Sequence, residues 1–349
     1  MRPRMLRARL QAVRAALAGA LVGGLVGTFA CALAVAPAWA QPAPAASASQ
    51  APPAASCPPT AQMPSPDEAQ AGLKNARDRG FLWRITKDGR SSYLYGTVHV
   101  AKADWMYPGP QTMRALIGSD TVALELDLLD PALQRRMAEA IAARHDSPLP
   151  PALALRLQRQ AQVECLAPEQ LAGLTPMLQI ATLNALAGRR DGLDPAYGID
   201  LVIAGIAHGA KKAIVSLETP ELQLDSFADE PGTPTAALVE SGLDELESGR
   251  ARPLLNKLVR LWAESDEAEL GRYESWCDCL KTEADRRAMR RMLDDRNPAL
   301  AAGIDALHLG GKTVFAAVGS LHMFGPQGLP ALFARRGYQV ERLGPGRKE

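Results

Sequence analysis

The sequence predicts an α/β fold: a central mixed β-sheet flanked by helices, with a mostly helical middle insertion forming a cap. Three observations carry this expectation. Short apolar, β-rich runs cluster at the two ends of the chain beyond residue 66. The runs VALEL at 122–126, AIVSL at 213–217 and TVFAAV at 313–318 are nearly continuous in apolar residues, as strands covered on both faces are. Between the ends, the stretch 131–310 carries apolar residues mostly at helical spacing.

The first 40 residues are set apart from the fold. Arg2, Arg4, Arg7, Arg9 and Arg14 form a basic start without an acidic residue, and an apolar stretch runs from Ala15 to Ala38. Ala38-Trp39-Ala40 has the small-x-small form of a signal-peptidase site, so residues 1–40 are expected to be a general-secretion signal cleaved near Ala40. An uncleaved anchor is the minor alternative, because 15–38 is long for a cleaved signal. Thr28-Phe29 before Cys31 argues against a lipoprotein site, and there is no twin arginine. The mature chain is therefore expected to be periplasmic or secreted. The full chain has 39 basic and 38 acidic residues. Removing the signal's five arginines leaves 34 basic against 38 acidic, a balance that argues against a nucleic-acid partner.

Residues 41–66, rich in Pro, Ala, Ser and Gln, read as a disordered spacer, and 67–349 as one domain. Phe81–Thr86 and Ser91–His99 flank an Asp88-Gly89 turn signal and read as a hairpin. Further strands are expected at Thr121–Asp127, Ala213–Glu218, Thr313–Gly319 and Tyr338–Leu343. Helical spacing marks Gly109–Ile117, Pro131–Ala143, Pro151–Gln162, Pro168–Leu186 and Ile199–His208. It continues at Pro234–Glu247, Arg252–Ser265, Lys281–Leu293 and Pro298–Leu309, with Thr233-Pro234 and Asn297-Pro298 as cap-and-proline starts.

Two distant segments share one pattern. Leu94-Tyr95-Gly96-Thr97-Val98-His99 and Ala317-Val318-Gly319-Ser320-Leu321-His322 both run apolar strand, glycine, small hydroxyl, aliphatic, histidine. Each delivers a histidine just past the carboxyl end of a strand, the edge where open α/β sheets bind ligands. Glu125 and Glu218 arrive at similar places, and strand alternation would put Asp127 on the same face as Glu125. A carboxylate within an apolar strand is costly unless paired, hydrogen-bonded or metal-bound. His99, Glu125 and His322 thus form a candidate divalent-metal set. Any one of them alone would more often be a satisfied structural residue. Arg296, beside a helix start, reads either as an anion site or as a surface ion pair with Asp294 or Asp295.

The other histidines favour structural readings: His145 in a polar turn, and His208 and His308 near helix ends where a cation suits the dipole. The charged run Asp285–Arg291 reads as a solvated helix face. Four cysteines lie beyond the signal: Cys57, Cys165, Cys277 and Cys279. Cys277 and Cys279 sit too close for an easy mutual bridge, so the favoured pairing joins one of them to Cys165.

With these residues in view, the chain resembles the TraB/GumN family, bacterial relatives of the TIKI metalloproteases, from about Gly80 to Leu343. The resemblance is carried by Tyr95–His99, Leu124–Asp127, Gly198-Ile199-Asp200, Leu217–Gln223, Asp295-Arg296-Asn297 and Val318–His322. Gly325, Gly328 and Gly337–Val340 follow. It implies a sheet-centred fold with paired Gly-x-x-His motifs and an acidic residue at the active centre. His99, Glu125 and His322 match its catalytic and metal positions, and Glu218 and Arg296 match recurrent positions. Met323 stands where a Leu is commoner. The metal it implies is manganese or cobalt; zinc suits the residue types equally.

The expectation is an exported metal-dependent hydrolase acting on a peptide or other small-molecule substrate, with no membrane role for the mature domain. One glutamate would act as general base, and Arg296 would steady negative charge. Two rivals accompany it. One is a protein that binds and sequesters a peptide or small ligand without turnover. The other is a haem or iron protein using His99 or His322 with Tyr95.

Overall fold

A computed structural model describes residues 57–144, 148–227 and 235–344. The expected signal, most of the spacer, His145 and the Thr233-Pro234 start lie outside these residues. Six strands form one sheet: β1 (Phe81–Lys87), β2 (Arg90–Thr97), β3 (Thr121–Leu124), β4 (Ala213–Ser216), β5 (Val314–Gly319) and β6 (Gln339–Leu343). Their order across the sheet is β4-β3-β5-β2-β1-β6.

The hairpin forms as the Asp-Gly signal predicts. Asp88 and Gly89 have φ of 51° and 73°, and two successive left-handed residues match the twist of the flanking strands. β1 is antiparallel to both β2 and β6, whereas β2, β5, β3 and β4 are mutually parallel neighbours. Four carboxyl ends therefore open on one edge. The chain leaves that edge through helices, including Ile199–Gly209 and Asn297–Leu309, whose apolar faces cover the sheet. Ile203, Leu300, Ile304, Phe315 and Val122 are fully buried in one core.

The middle of the chain is mostly helical, as expected, and it has a core of its own. Leu153 and Leu157 of helix Pro151–Val163, Ile180 and Leu183 of helix Pro176–Leu186, and Val239 and Leu243 of helix Thr235–Glu247 pack together. This cluster makes the cap a packed layer. Among the described residues no helix is long and apolar enough to cross a membrane.

Several boundaries differ from expectation. The strands that carry Glu125 and Glu218 end at Leu124 and Ser216, so strand alternation does not govern the acidic residues. Glu125 and Asp127 part company: Asp127 accepts from His208 Nε2 at 2.8 Å. Pro168–Leu186 is a short turn followed by helix Pro176–Leu186, because Pro176 holds Thr175 extended. Asn297 is no cap; it lies in the first turn, preceded by Arg296, and its side chain points elsewhere. His308 is not a helix-end cation. It is fully buried against Ser92 Oγ at 2.9 Å, and burial holds its pKa below the ordinary histidine value.

The cysteines pair as Cys57–Cys165 and Cys277–Cys279, which corrects the expected link from Cys165 to the Cys-x-Cys pair. Asp278 takes a left-handed φ of 51°, and the Cα atoms of its neighbours come within 5.1 Å, inside the range a bridge needs. Residues 57–66 of the expected spacer are held against the domain. Cys57 is bridged, Gln62 exchanges hydrogen bonds with Tyr197 Oη, and Ser65 caps helix Pro66–Lys74.

The two Gly-x-x-His motifs touch where Gly96 of one meets Ser320 of the other. A Cβ on Gly96 would stand 2.9 Å from Ser320 Oγ and 3.1 Å from Ser320 Cα. Gly96→Ala should therefore destabilise the fold by about 1–3 kcal/mol through overpacking. A urea midpoint equal to that of the wild type would show that the strands part without cost.

Candidate functional site

β2, β5, β3 and β4 end side by side, and within two residues of each end comes a polar side chain: His99, Ser320, Glu125 and Glu218. The main-chain pairing of β3 and β4 continues one step past the strands: Glu218 N–H donates to Glu125 O at 3.0 Å. Two buried glutamates thus start from adjacent backbone positions, 8% and 7% exposed. Side by side their charges would repel, and burial alone would favour the neutral forms.

Arg296 resolves the conflict. Its Nη2 donates to Glu125 Oε2 at 2.7 Å and to Glu218 Oε2 at 2.5 Å, while Nε donates to Glu218 Oε1 at 2.8 Å. Gln223 Nε2 supplies further bonds to both carboxylates, at 3.2 and 3.1 Å. Burial opposes ionisation of Glu125, but His322, His99, Arg296 and the Gly319 N–H outweigh it and hold its pKa down at about 2. Burial also works against the charge on Arg296, and the two glutamates more than offset it. The surface pairing of Arg296 with Asp294 or Asp295 is not what forms. Nor is Arg296 an open anion site, since Nη1 also donates to Met292 O at 2.8 Å.

The histidines come from β2 and β5. His322 is 3% exposed, and its Nδ1 lies 2.7 Å from Asn297 Oδ1. Asn297 Nδ2 donates to Gln327 O, which fixes the amide so that Oδ1 must accept. The proton of a neutral His322 therefore sits on Nδ1, leaving Nε2 with its lone pair. Burial pushes the His322 pKa down to about 4, towards that neutral form. His99 Nδ1 lies 3.2 Å from Asp200 Oδ2, and the Asp200 carboxylate raises the His99 pKa to about 9. Asp200 is brought there by Gly198-Ile199. Ile199 N–H donates to Val98 O, and a Cβ on Gly198 would stand 2.8 Å from His99 O.

Gly319 marks the point where these groups meet. A Cβ placed on it would lie 3.2 Å from Glu125 Oε1, 3.6 Å from His322 Cδ2 and 3.8 Å from His99 Nε2. Its missing side chain leaves that space open, and its N–H donates to Glu125 Oε1 at 2.6 Å. The expected set His99, Glu125 and His322 is brought together, with Arg296 beside it. Histidines further apart than about 10 Å could not share an ion; here both rings reach within 4 Å of one point. The donor types fit a divalent cation: a carboxylate or amide oxygen holds each Nδ1, so Nε2 is the nitrogen left to face an ion, which on His99 would displace a proton. Among the described residues, no group of three or more His, Cys, Asp or Glu side chains is already drawn tightly enough to hold a metal ion. Both oxygens of Glu125 are engaged by protein donors.

A cavity of about 610 Å³ opens over this point, lined by His99, Glu125, Gln223, Arg296, Gly319 and His322 among others. Glu218 is not part of its lining; it stands behind Arg296. Tyr95 does not line it either. The Tyr95 ring is buried and its hydroxyl donates to Arg79 O at 3.1 Å, which leaves it no role as an axial ligand here. The residues missed as site members by pattern alone are Asp200, Gln223 and Asn297. The Asn297-Pro298 signal did single out the right asparagine, for a different task.

The fold and the site define an α/β protein with a histidine- and glutamate-lined cavity at the carboxyl edge of four parallel strands. The model of the TraB/PrgY/gumN family matches residues 81–342, and the chain belongs to that family. Comparison with curated proteins and with solved structures gives no match.

Arg296→Ala would leave two buried carboxylates unpaired and should cost about 3–5 kcal/mol in urea unfolding at neutral pH. Because the Glu125 pKa is depressed in the fold, its contribution is present above about 4.5 and lost as pH falls towards about 2. The gap between wild type and variant should narrow over that window. A gap independent of pH would show that the carboxylates are not what Arg296 stabilises.

Proposed function

We propose that the chain is a metal-dependent hydrolase that cleaves an amide bond of a peptide or other small substrate. The observation that supports this reading is the meeting of two histidine rings and a carboxylate about Gly319, each ring held through Nδ1 by Asp200 or Asn297. His99 and His322 through Nε2, with Glu125 Oε1 beside them, would hold a divalent ion such as manganese, cobalt or zinc. When bound, the ion supplies Lewis acidity towards a carbonyl and acidifies water.

The chain's own groups do the rest. Glu125 is the member of the glutamate pair that lines the cavity, so it is the carboxylate placed to take the proton given up by water. Glu218 is a positioning residue: it holds Arg296, and Arg296 holds Glu125. Arg296 keeps positive charge at the cavity wall near the forming oxyanion, while its donors remain on the two carboxylates. Export to an oxidising compartment belongs to the proposal and is supported by the two disulfides.

One observation favours the reading of a ligand-binding protein without turnover. Both oxygens of Glu125 are occupied by Arg296, Gln223 and Gly319 donors, an arrangement that needs no ion. The two readings separate in one experiment. Purified mature protein should contain a divalent metal, and His99→Ala with His322→Ala should lose both the metal and amidase activity. Asn297→Ala should weaken metal binding by about 10–100-fold while retaining the fold. Full activity in the presence of a chelator, or with both histidines replaced, would refute the hydrolase reading.

A further inference from the structure

The cavity extends well beyond the polar groups at the sheet edge. Ala181 and Ala185 of helix Pro176–Leu186, Leu254 and Leu258 of helix Ala251–Ala263, Met292, and Leu321 line it. All six are only half-buried, so apolar surface that could have been packed is left facing the space. The alanines stand one turn apart, as do the leucines. One wall is thus low and the other bulky. At about 610 Å³ the space exceeds any single side chain and falls among pockets that enclose a whole small ligand.

The polar groups of these walls are largely committed. Ser226 Oγ donates to Gln223 O at 2.6 Å, and Glu245 is paired with Arg250 at 2.9 Å and Lys281 at 3.6 Å. Asn184 is the one amide side chain in the lining besides Gln223. An extended peptide would bring a main-chain N–H and C=O about every 3.5 Å, and each would need a partner. The side chains of these walls offer few: Asn184 and the Thr97 hydroxyl, which has no hydrogen-bond partner of its own among the described residues. A hydrocarbon chain needs none.

We infer that the cavity holds a long unbranched acyl chain, and that the substrate is a fatty acyl amide whose carbonyl lies at the Gly319 end. The reacting end rests on the hydrolase reading; the chain-binding cavity does not. In the reaction, the oxygen of water bonds to the acyl carbon and the C–N bond breaks. The proton taken by Glu125 leaves with the amine, so the products are a fatty acid and an amine.

The test uses mature protein and the fluorescent fatty acid cis-parinaric acid. Saturable binding is expected, with displacement by octanoate, decanoate and dodecanoate that tightens by about fourfold per buried methylene. Binding should persist with a chelator present. It should be lost in Ala181→Trp and in Ala185→Trp, each checked for native circular dichroism; retention in both, when folded, would overturn the inference. So would absence of binding in wild type, or displacement by an acetylated trileucine amide but not by the fatty acids. Amidase activity on acetyl amides without any chain-length dependence would sink the acyl cavity and leave the hydrolase reading standing. Chain binding without turnover would do the reverse.

Discussion

The arrangement at the sheet edge depends on one guanidinium. Parallel strands β3 and β4 end level with each other and their pairing runs on through Leu217, so Glu125 and Glu218 are forced into neighbouring positions out of water. Ionised, neither could stay there without compensation. Arg296 provides a planar fork between them, and Gln223 closes the other side. Everything else at the edge is referenced to Glu125. Its second oxygen receives the Gly319 N–H, and Gly319 in turn sets the start of the turn that carries His322.

The histidines show a different economy of means. Both reach the cavity from strands that are direct parallel neighbours, in register from Tyr93–Phe315 to Thr97–Gly319. The two motifs are staggered by one residue, with Gly96 opposite Val318 and Thr97 opposite Gly319, so the neighbouring exits still deliver their histidines close together. Ser320 Oγ donates to Thr97 O and ties one exit to the other. The supports of the two rings are unlike, an aspartate for one and a buried asparagine for the other. The rings also differ in charge preference: Asp200 raises His99 to about 9, whereas burial lowers His322 to about 4.

Much of this was legible in the residues themselves. Apolar runs and the Asp88-Gly89 turn announced the strands, and the paired Gly-x-x-His spacing announced the histidines. What pattern could not show was partnership at a distance. Arg296 lies 171 residues from Glu125 and 78 from Glu218, and no local spacing distinguishes that inward pairing from one with Asp294 or Asp295. Asn297 was read as a cap because asparagine before proline so often is; burial against His322 gave it another partner. The Cys-x-Cys bridge was misjudged because the left-handed turn at Asp278 is a backbone choice that sequence does not announce for aspartate. His308 was read from its helix end alone, while the decisive fact was Ser92 on a strand 216 residues away.

The close fit of Gly96 against Ser320 has a bearing on synthesis. β2 emerges from the ribosome long before β5, since the contact between their ends spans 223 residues. Until the last strands have been made, His99 has no companion and Glu125 lacks its Gly319 donor. A growing or prematurely ended chain carries the cap and most of the helices but no assembled centre. The cluster at the sheet edge therefore comes together only after β5 and His322 have been made.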